Sequence, residues 1–148
     1  MNPTMALTLP GDPYSVAHAR SLLDLLLCRL SVSVESRADL AVIMSEACSN
    51  AVCHGQQPGK IEIHVSVGRN DCVIQVANPG RAMTAPPTTA QPTDPLAEHG
   101  RGLSIIAALA DSARFLQHRP GWVILRVAKR IVRLPRRGRG RDAGAGSA

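Results

Sequence analysis

The sequence predicts an α+β fold, a two-layer α/β sandwich with helices packed on one face of a mixed, mostly antiparallel sheet. Three observations point there. Ile61, Ile63, Val65 and Val67 alternate with Glu62, His64 and Ser66, the period-2 signature of a half-buried strand. Two capped, helix-periodic segments precede that strand. With its successor it forms the first of two hairpin-like strand pairs that bracket a third helical segment, an order that favours antiparallel pairing.

Element by element, a short strand can form at Ala6–Leu9. Asp12-Pro13 opens a helix that runs to about Leu30, with Asp at the N-cap and Pro at the first helical position. Val16, Ala19, Leu22, Leu23, Leu26 and Leu30 recur at helical spacing and define its buried stripe. A second helix should begin near Ser33–Glu35 and end at Gly55, a glycine being free to take the positive φ that closes many helices. Lys60–Val67 is the alternating strand, Gly68-Arg69-Asn70-Asp71 a turn and Cys72–Ala77 its hairpin partner; Asn78-Pro79-Gly80 reads most simply as a further turn. Residues 81–99 carry Pro86, Pro87, Pro92, Pro95 and four threonines with almost no large apolar residue; irregular stretches that long are usually lids or linkers. Gly100-Arg101-Gly102 leads into a third helix through Leu103, Ile106, Ala107 and Ala110. Ala113–Gln117 and Trp122–Ala128 complete the strands, joined by a turn in which Pro120 and Gly121 suit the central positions of type II.

The 148 residues suffice for one domain, expected over residues 5–134 with 81–99 as its lid and 135–148 as a disordered Arg/Gly-rich tail. Hydrophobic residues make up 45% and charged residues 19%, which excludes a wholly disordered chain. The net charge of +6 resides in residues 129–148, where seven basic side chains face Asp142 alone, so the body is neutral. With one Phe, one Tyr and one Trp the chain lacks the stacking rings of a single-strand binder; nucleic acid is expected at most weakly, through the tail. No apolar run approaches the length of a membrane span and no export signal opens the chain, so the expectation is cytoplasmic and off the membrane. Cys28, Cys48, Cys53 and Cys72 form no C-x-x-C pair and read as buried free thiols. Cys53 and His54 make no dyad, because helix neighbours diverge by about 100°.

Chemistry concentrates on the second helix. With Leu40 at zero on a wheel of about 100° per residue, Ile43, Met44, Ala47 and Ala51 fall within about 60° of it, and Glu46 and Asn50 fall near 240° and 280°. An acid and an amide one turn apart, on the rim of a core, suit a cation or a proton transfer; the same spacing also fits an ordinary half-exposed polar pair. Gly100-Arg101-Gly102 opens a helix whose backbone N–H groups and dipole can approach a phosphate, and it equally fits a plain loop-to-helix junction.

Ser45-Glu46-Ala47-Cys48-Ser49-Asn50-Ala51-Val52-Cys53-His54-Gly55 resembles the N-box, E-x-x-x-N-A-x-x-H-G, of the GHKL ATPases, the superfamily of gyrase, histidine kinases and mismatch-repair ATPases. Gly100-Arg101-Gly102-Leu103 resembles the second glycine box, and Asn78-Pro79-Gly80 stands in the place of the first, D-x-G. The short chain, without a phospho-acceptor domain, looks most like the anti-sigma-factor serine/threonine kinases of bacterial partner switching, over about residues 5–128.

The resemblance implies a Bergerat-type ATPase fold and roles for these residues. Asn50 would hold Mg²⁺ against the phosphates of ATP, and Glu46 would act as base toward an incoming hydroxyl. Asn78 and Gly80, with Gly100, Arg101, Gly102 and Leu103, would bind the nucleotide beneath the lid. The implied partners are a sigma factor and a STAS-type anti-anti-sigma protein carrying the target serine or threonine. Helix one is the candidate partner or homodimer surface, with Arg20 the residue to test. The sequence departs from the family at the first box: Asn78 stands for Asp, and Ala82 for the usual second glycine. A neutral acceptor makes a weaker bond to the adenine amino group than a charged one, so the implied ATP affinity is lower, and a regulator that switches partners by affinity without catalysis is the alternative.

Overall fold

The computed structural model describes residues 1–55, 59–80 and 100–136. The expected lid, with Ala82, falls outside them, as does nearly all of the expected tail. The elements are β1 (Thr4–Pro10), α1 (Pro13–Arg29), α2 (Val34–His54), β2 (Lys60–Val67), β3 (Asp71–Pro79), α3 (Gly100–Leu109), β4 (Ser112–Leu116) and β5 (Trp122–Arg130). The five strands form one sheet in the order β1-β2-β3-β5-β4, with the helices on one face, so the α+β sandwich stands. Every pairing is antiparallel, which corrects the expectation of a mixed sheet. The reason is connectivity: α3 delivers the chain to the outer edge as β4, and a tight turn returns it as β5 between β4 and β3.

Local chemistry accounts for the element ends. Asp12 Oδ1 accepts from the Ser15 backbone N–H at 3.0 Å and Pro13 occupies the first turn. The Ser33 hydroxyl accepts from the Ser36 N–H at 3.2 Å, which starts α2. Between β4 and β5 the Trp122 N–H donates to the Arg119 carbonyl at 3.2 Å and Gly121 has φ of 75°, as a type II turn requires.

The core lies between the helices and one sheet face: Leu23 and Leu27 of α1, Leu40, Ile43 and Met44 of α2 and Ile106 of α3 meet Ile61, Ile63, Val65, Ile74, Val76, Leu125 and Val127. Each such buried side chain contributes about 1.5–3 kcal/mol relative to exposure. Leu22 is a correction: it is exposed, as is Leu25, because the buried line of α1 runs through Ser15, Ala19, Leu23 and Leu27. Ala107 likewise faces outward, and Ile106 is fully buried.

The cysteines also divide. Cys48 and Cys72 are buried, whereas Cys28 and Cys53 are exposed, since both of the latter sit on outward helix positions. Burial pushes the Cys48 thiol up to about 12; burial, aided by the Asp71 charge, does the same for Cys72. Two outcomes follow. A thiol reagent at neutral pH should modify two cysteines in the native protein and four after denaturation. Above the ordinary thiol value of 9.0, the unfolded chain ionises while the folded one stays protonated, so stability should fall from about pH 9 toward pH 12, read by chemical denaturation across that range.

Candidate functional site

Helix α2 carries the polar pair on the edge of its buried face. Leu40, Ile43, Met44, Ala47 and Ala51 are buried, and Glu46 and Asn50 are half-buried, the rim position the wheel gives them. Core packing on one side therefore fixes the direction of both polar side chains.

Glu46 meets the start of α3. A Cβ added to Gly102 would lie 2.8 Å from Glu46 Oε2, so the carboxylate occupies the space a side chain would fill. Helix α3 begins at Gly100 itself, with the glycines inside the first turn, and that turn holds no acidic residue. Its positive dipole end favours an anion, and the Glu46 carboxylate of α2 stands beside it. Leu103 packs against the core and Ile106 is 1% exposed, which holds this first turn against α2. Arg101 is exposed on the same turn.

Asn78 sits at the other end of α2. It is 4% exposed, on the helix side of β3, and its Nδ2 donates to the Pro79 carbonyl at 3.1 Å. The reading of Asn78-Pro79-Gly80 as a turn is corrected here. Asn78 and Pro79 pair with Val123 and Trp122 of β5, and the Gly80 N–H continues the ladder to the Gly121 carbonyl at 3.0 Å. Pro79 is tolerated because the pairing with β2 stops at Ala77, so one side of the strand needs no donor there.

Gly55 also differs from the expectation of a left-handed helix end. Its φ is −73°, extended and not left-handed. What it supplies is room: a Cβ there would come within 2.7 Å of the Ala51 carbonyl oxygen and 3.6 Å of Asn78 Nδ2. Gly80 is similar, its hypothetical Cβ lying 3.4 Å from Asn78 Nδ2 and 3.7 Å from the His54 carbonyl oxygen. The two glycines let the end of α2 close onto β3 around Asn78. A small crevice there is lined by Ala51, Gly55, Gly59, Ile61, Asn78 and Pro79. Gly59 and Ile61 were not among the residues singled out from sequence; Gly59 bears no motif, and Ile61 reads as a core position of β2.

The site is therefore a track along α2. Glu46 and Gly102 mark one end, Gly55, Asn78 and Gly80 the other, and Asn50 lies between, over a length of roughly 13 Å at 1.5 Å per residue. A phosphate-compatible helix start at one end and a buried amide at the other suit a ligand that is anionic at one pole and carries a polar ring edge at the opposite pole.

A five-stranded sheet with such a track beneath three helices defines a class. The chain belongs to the histidine kinase-like ATPase domain family, whose model matches residues 9–129. Within it, the serine-protein kinase RsbW of Oceanobacillus iheyensis is 32% identical over 117 residues, covering 72% of this chain and 74% of that protein. RsbW of Bacillus subtilis is 28% identical over 121 residues, 74% and 76% of the two chains. Among solved structures, the RsbU and RsbW domains of a Mycobacterium tuberculosis protein match with a TM-score of 0.63 at 20% identity, over 90% of this chain and 34% of that longer one. The catalytic domain of the histidine kinase ThkA matches with a TM-score of 0.50 at 12% identity, over 88% and 97%. Both structures share the fold. No described helix is long and apolar enough to cross a membrane.

Proposed function

We propose that the protein is an ATP-dependent serine/threonine kinase that acts as an anti-sigma regulator, phosphorylating an anti-anti-sigma partner and sequestering a sigma factor. The observation that carries this reading is the contact of Glu46 with Gly102, which sets a half-buried base beside a helix start suited to phosphate. The relatives named serine-protein kinase RsbW support the same reaction class.

In this reading Asn78 accepts from the adenine amino group, with Gly80 and Gly55 giving the base edge access to it. Gly100, Arg101, Gly102 and Leu103 present the first turn of α3 to the terminal phosphates. Among the described residues no cluster of three or more His, Cys, Asp or Glu side chains could cage a metal. A divalent ion at Asn50 would thus take one amide oxygen from the protein and the remainder from phosphate and water, a ligand set suited to Mg²⁺. Mg²⁺ held there would supply charge neutralisation for the phosphates. Glu46 accepts the proton of the incoming serine or threonine hydroxyl; the hydroxyl oxygen bonds the γ-phosphorus as the bond to the bridging oxygen breaks and ADP leaves. Exposed Arg20 on α1 is the residue we assign to the partner or homodimer surface.

The test is transfer from labelled ATP with Mg²⁺ to a purified STAS-type anti-anti-sigma protein. Label on a serine or threonine supports the kinase; tight ATP binding with no transfer would support the regulator that works by affinity alone. That second reading is favoured by one observation, the uncharged Asn78 at the adenine end. Asn78→Asp should tighten ATP binding about fivefold, since a charge-assisted bond is about twice as strong as a neutral one of about 1 kcal/mol. Without ATP it should cost about 1–3 kcal/mol by burying a carboxylate and losing the donor to Pro79. Calorimetric titration and thermal unfolding read the two effects separately.

A further inference from the structure

The sheet has a second face. All three helices lie on the side of Ile63, Ile74, Leu125 and Val127, so the alternate residues point away from them. The register aligns one row of these across all five strands: Ala6 opposite His64, His64 opposite Gln75, Gln75 opposite Arg126 and Arg126 opposite Arg114. Two arginines therefore stand directly opposite each other on β5 and β4, a like-charge pairing that destabilises a sheet unless something compensates.

Nothing within the described chain does. Glu62, on the same face, is held by Arg119 at 2.8 Å and Lys60 at 3.8 Å, and Asp71 stands across from Arg130. Neither the Arg114 nor the Arg126 side chain has an ion pair or hydrogen bond among the described residues. We propose that this helix-free face docks an acidic helix of a partner protein, its carboxylates pairing with Arg114 and Arg126.

Charge complementarity selects the occupant. A guanidinium fork matches a carboxylate. The chain's own C-terminal residues are excluded by sign, since Arg137, Arg139 and Arg141 face only Asp142. Nucleic acid is disfavoured because the face presents no open Phe, Tyr or Trp ring: the Arg119 guanidinium covers Trp122 at 3.6 Å from the ring centroid, and Phe115 packs against the core. The next row along the strands is short, Ser66, Val73, Ala128 and Ser112, leaving room for a helix body beside the arginines. Five strands span about 19 Å at 4.8 Å spacing, the length of roughly 13 helical residues. The face is separate from Glu46, Asn50 and Asn78, which lie on the helix side.

The experiment titrates the full chain, observed by amide NMR, with a 14-residue Ala-based helical peptide bearing Glu at positions 3, 7, 10 and 14. Its Gln counterpart and a 14-nucleotide single-stranded DNA serve as controls. The expected result is shifts at Ser66, Val73, Gln75 and Ala128 with the Glu peptide, and binding at least tenfold weaker for the Gln peptide and for Arg114→Glu/Arg126→Glu. Shifts confined to the helix side, equal binding by the double variant, tighter binding of the DNA, or self-association that buries this face would each overturn the proposal. Arg126→Gln alone, which relieves the repulsion, should raise the unfolding midpoint; an unchanged or lower midpoint would remove the argument.

Discussion

Glu46→Gln is expected to lower the rate of phosphoryl transfer by about 10²–10⁴-fold, the usual contribution of a positioned general base, while leaving nucleotide affinity within a factor of a few. The amide keeps the shape of the carboxylate and its place against Gly102, where the wild-type oxygen approaches to 2.8 Å of a would-be Cβ. It cannot accept the hydroxyl proton. Initial rates with labelled ATP, paired with calorimetric ATP titration and circular dichroism, separate lost chemistry from lost folding. A variant that transfers phosphate at the wild-type rate would remove Glu46 from the reaction.

Gly102→Ala should dissociate activity from stability. In a helix, Ala is favoured over Gly by about 0.5–1 kcal/mol, so propensity alone would stabilise α3. The new methyl, however, must displace the Glu46 carboxylate. Because that group is the end of a flexible side chain, the fold can adapt and the stability should change by less than about 1 kcal/mol. Moving a catalytic group by about 1 Å can cost 10²-fold in rate, and a loss of that order is expected. A variant both fully active and fully stable would mean that the contact has no catalytic consequence.

Much of the architecture was legible in the sequence because its signals are periodic and local. The strict alternation of Ile61–Val67, the caps at Asp12 and Ser33 and the Pro120-Gly121 turn each report an element through its own residues. The rim position of Glu46 and Asn50 was legible for the same reason, since helical geometry fixes an angle once the buried face is known. What escaped depends on contacts distant in sequence. Gly55 looks like a helix-closing residue until Asn78 is seen 3.6 Å from its missing side chain. Asn78-Pro79 reads as a turn because Pro and Gly usually break strands, and only the partner Trp122 of β5 reveals the ladder. Leu22 shares the periodicity of its buried neighbours, and the width of the covered stripe is set by α2, not by α1. The all-antiparallel order follows from where α3 delivers the chain, which no local pattern encodes.

In the proposed reaction the edge of α2 grips a triphosphate through a divalent ion held at Asn50. Calorimetric titration of ATP with and without Mg²⁺, in the wild-type protein and in Asn50→Ala, tests it most directly. Mg²⁺ should tighten ATP binding to the wild type, and this gain should disappear in Asn50→Ala while the fold persists. An identical Mg²⁺ dependence in both proteins, or no ATP binding by the wild type, would contradict it.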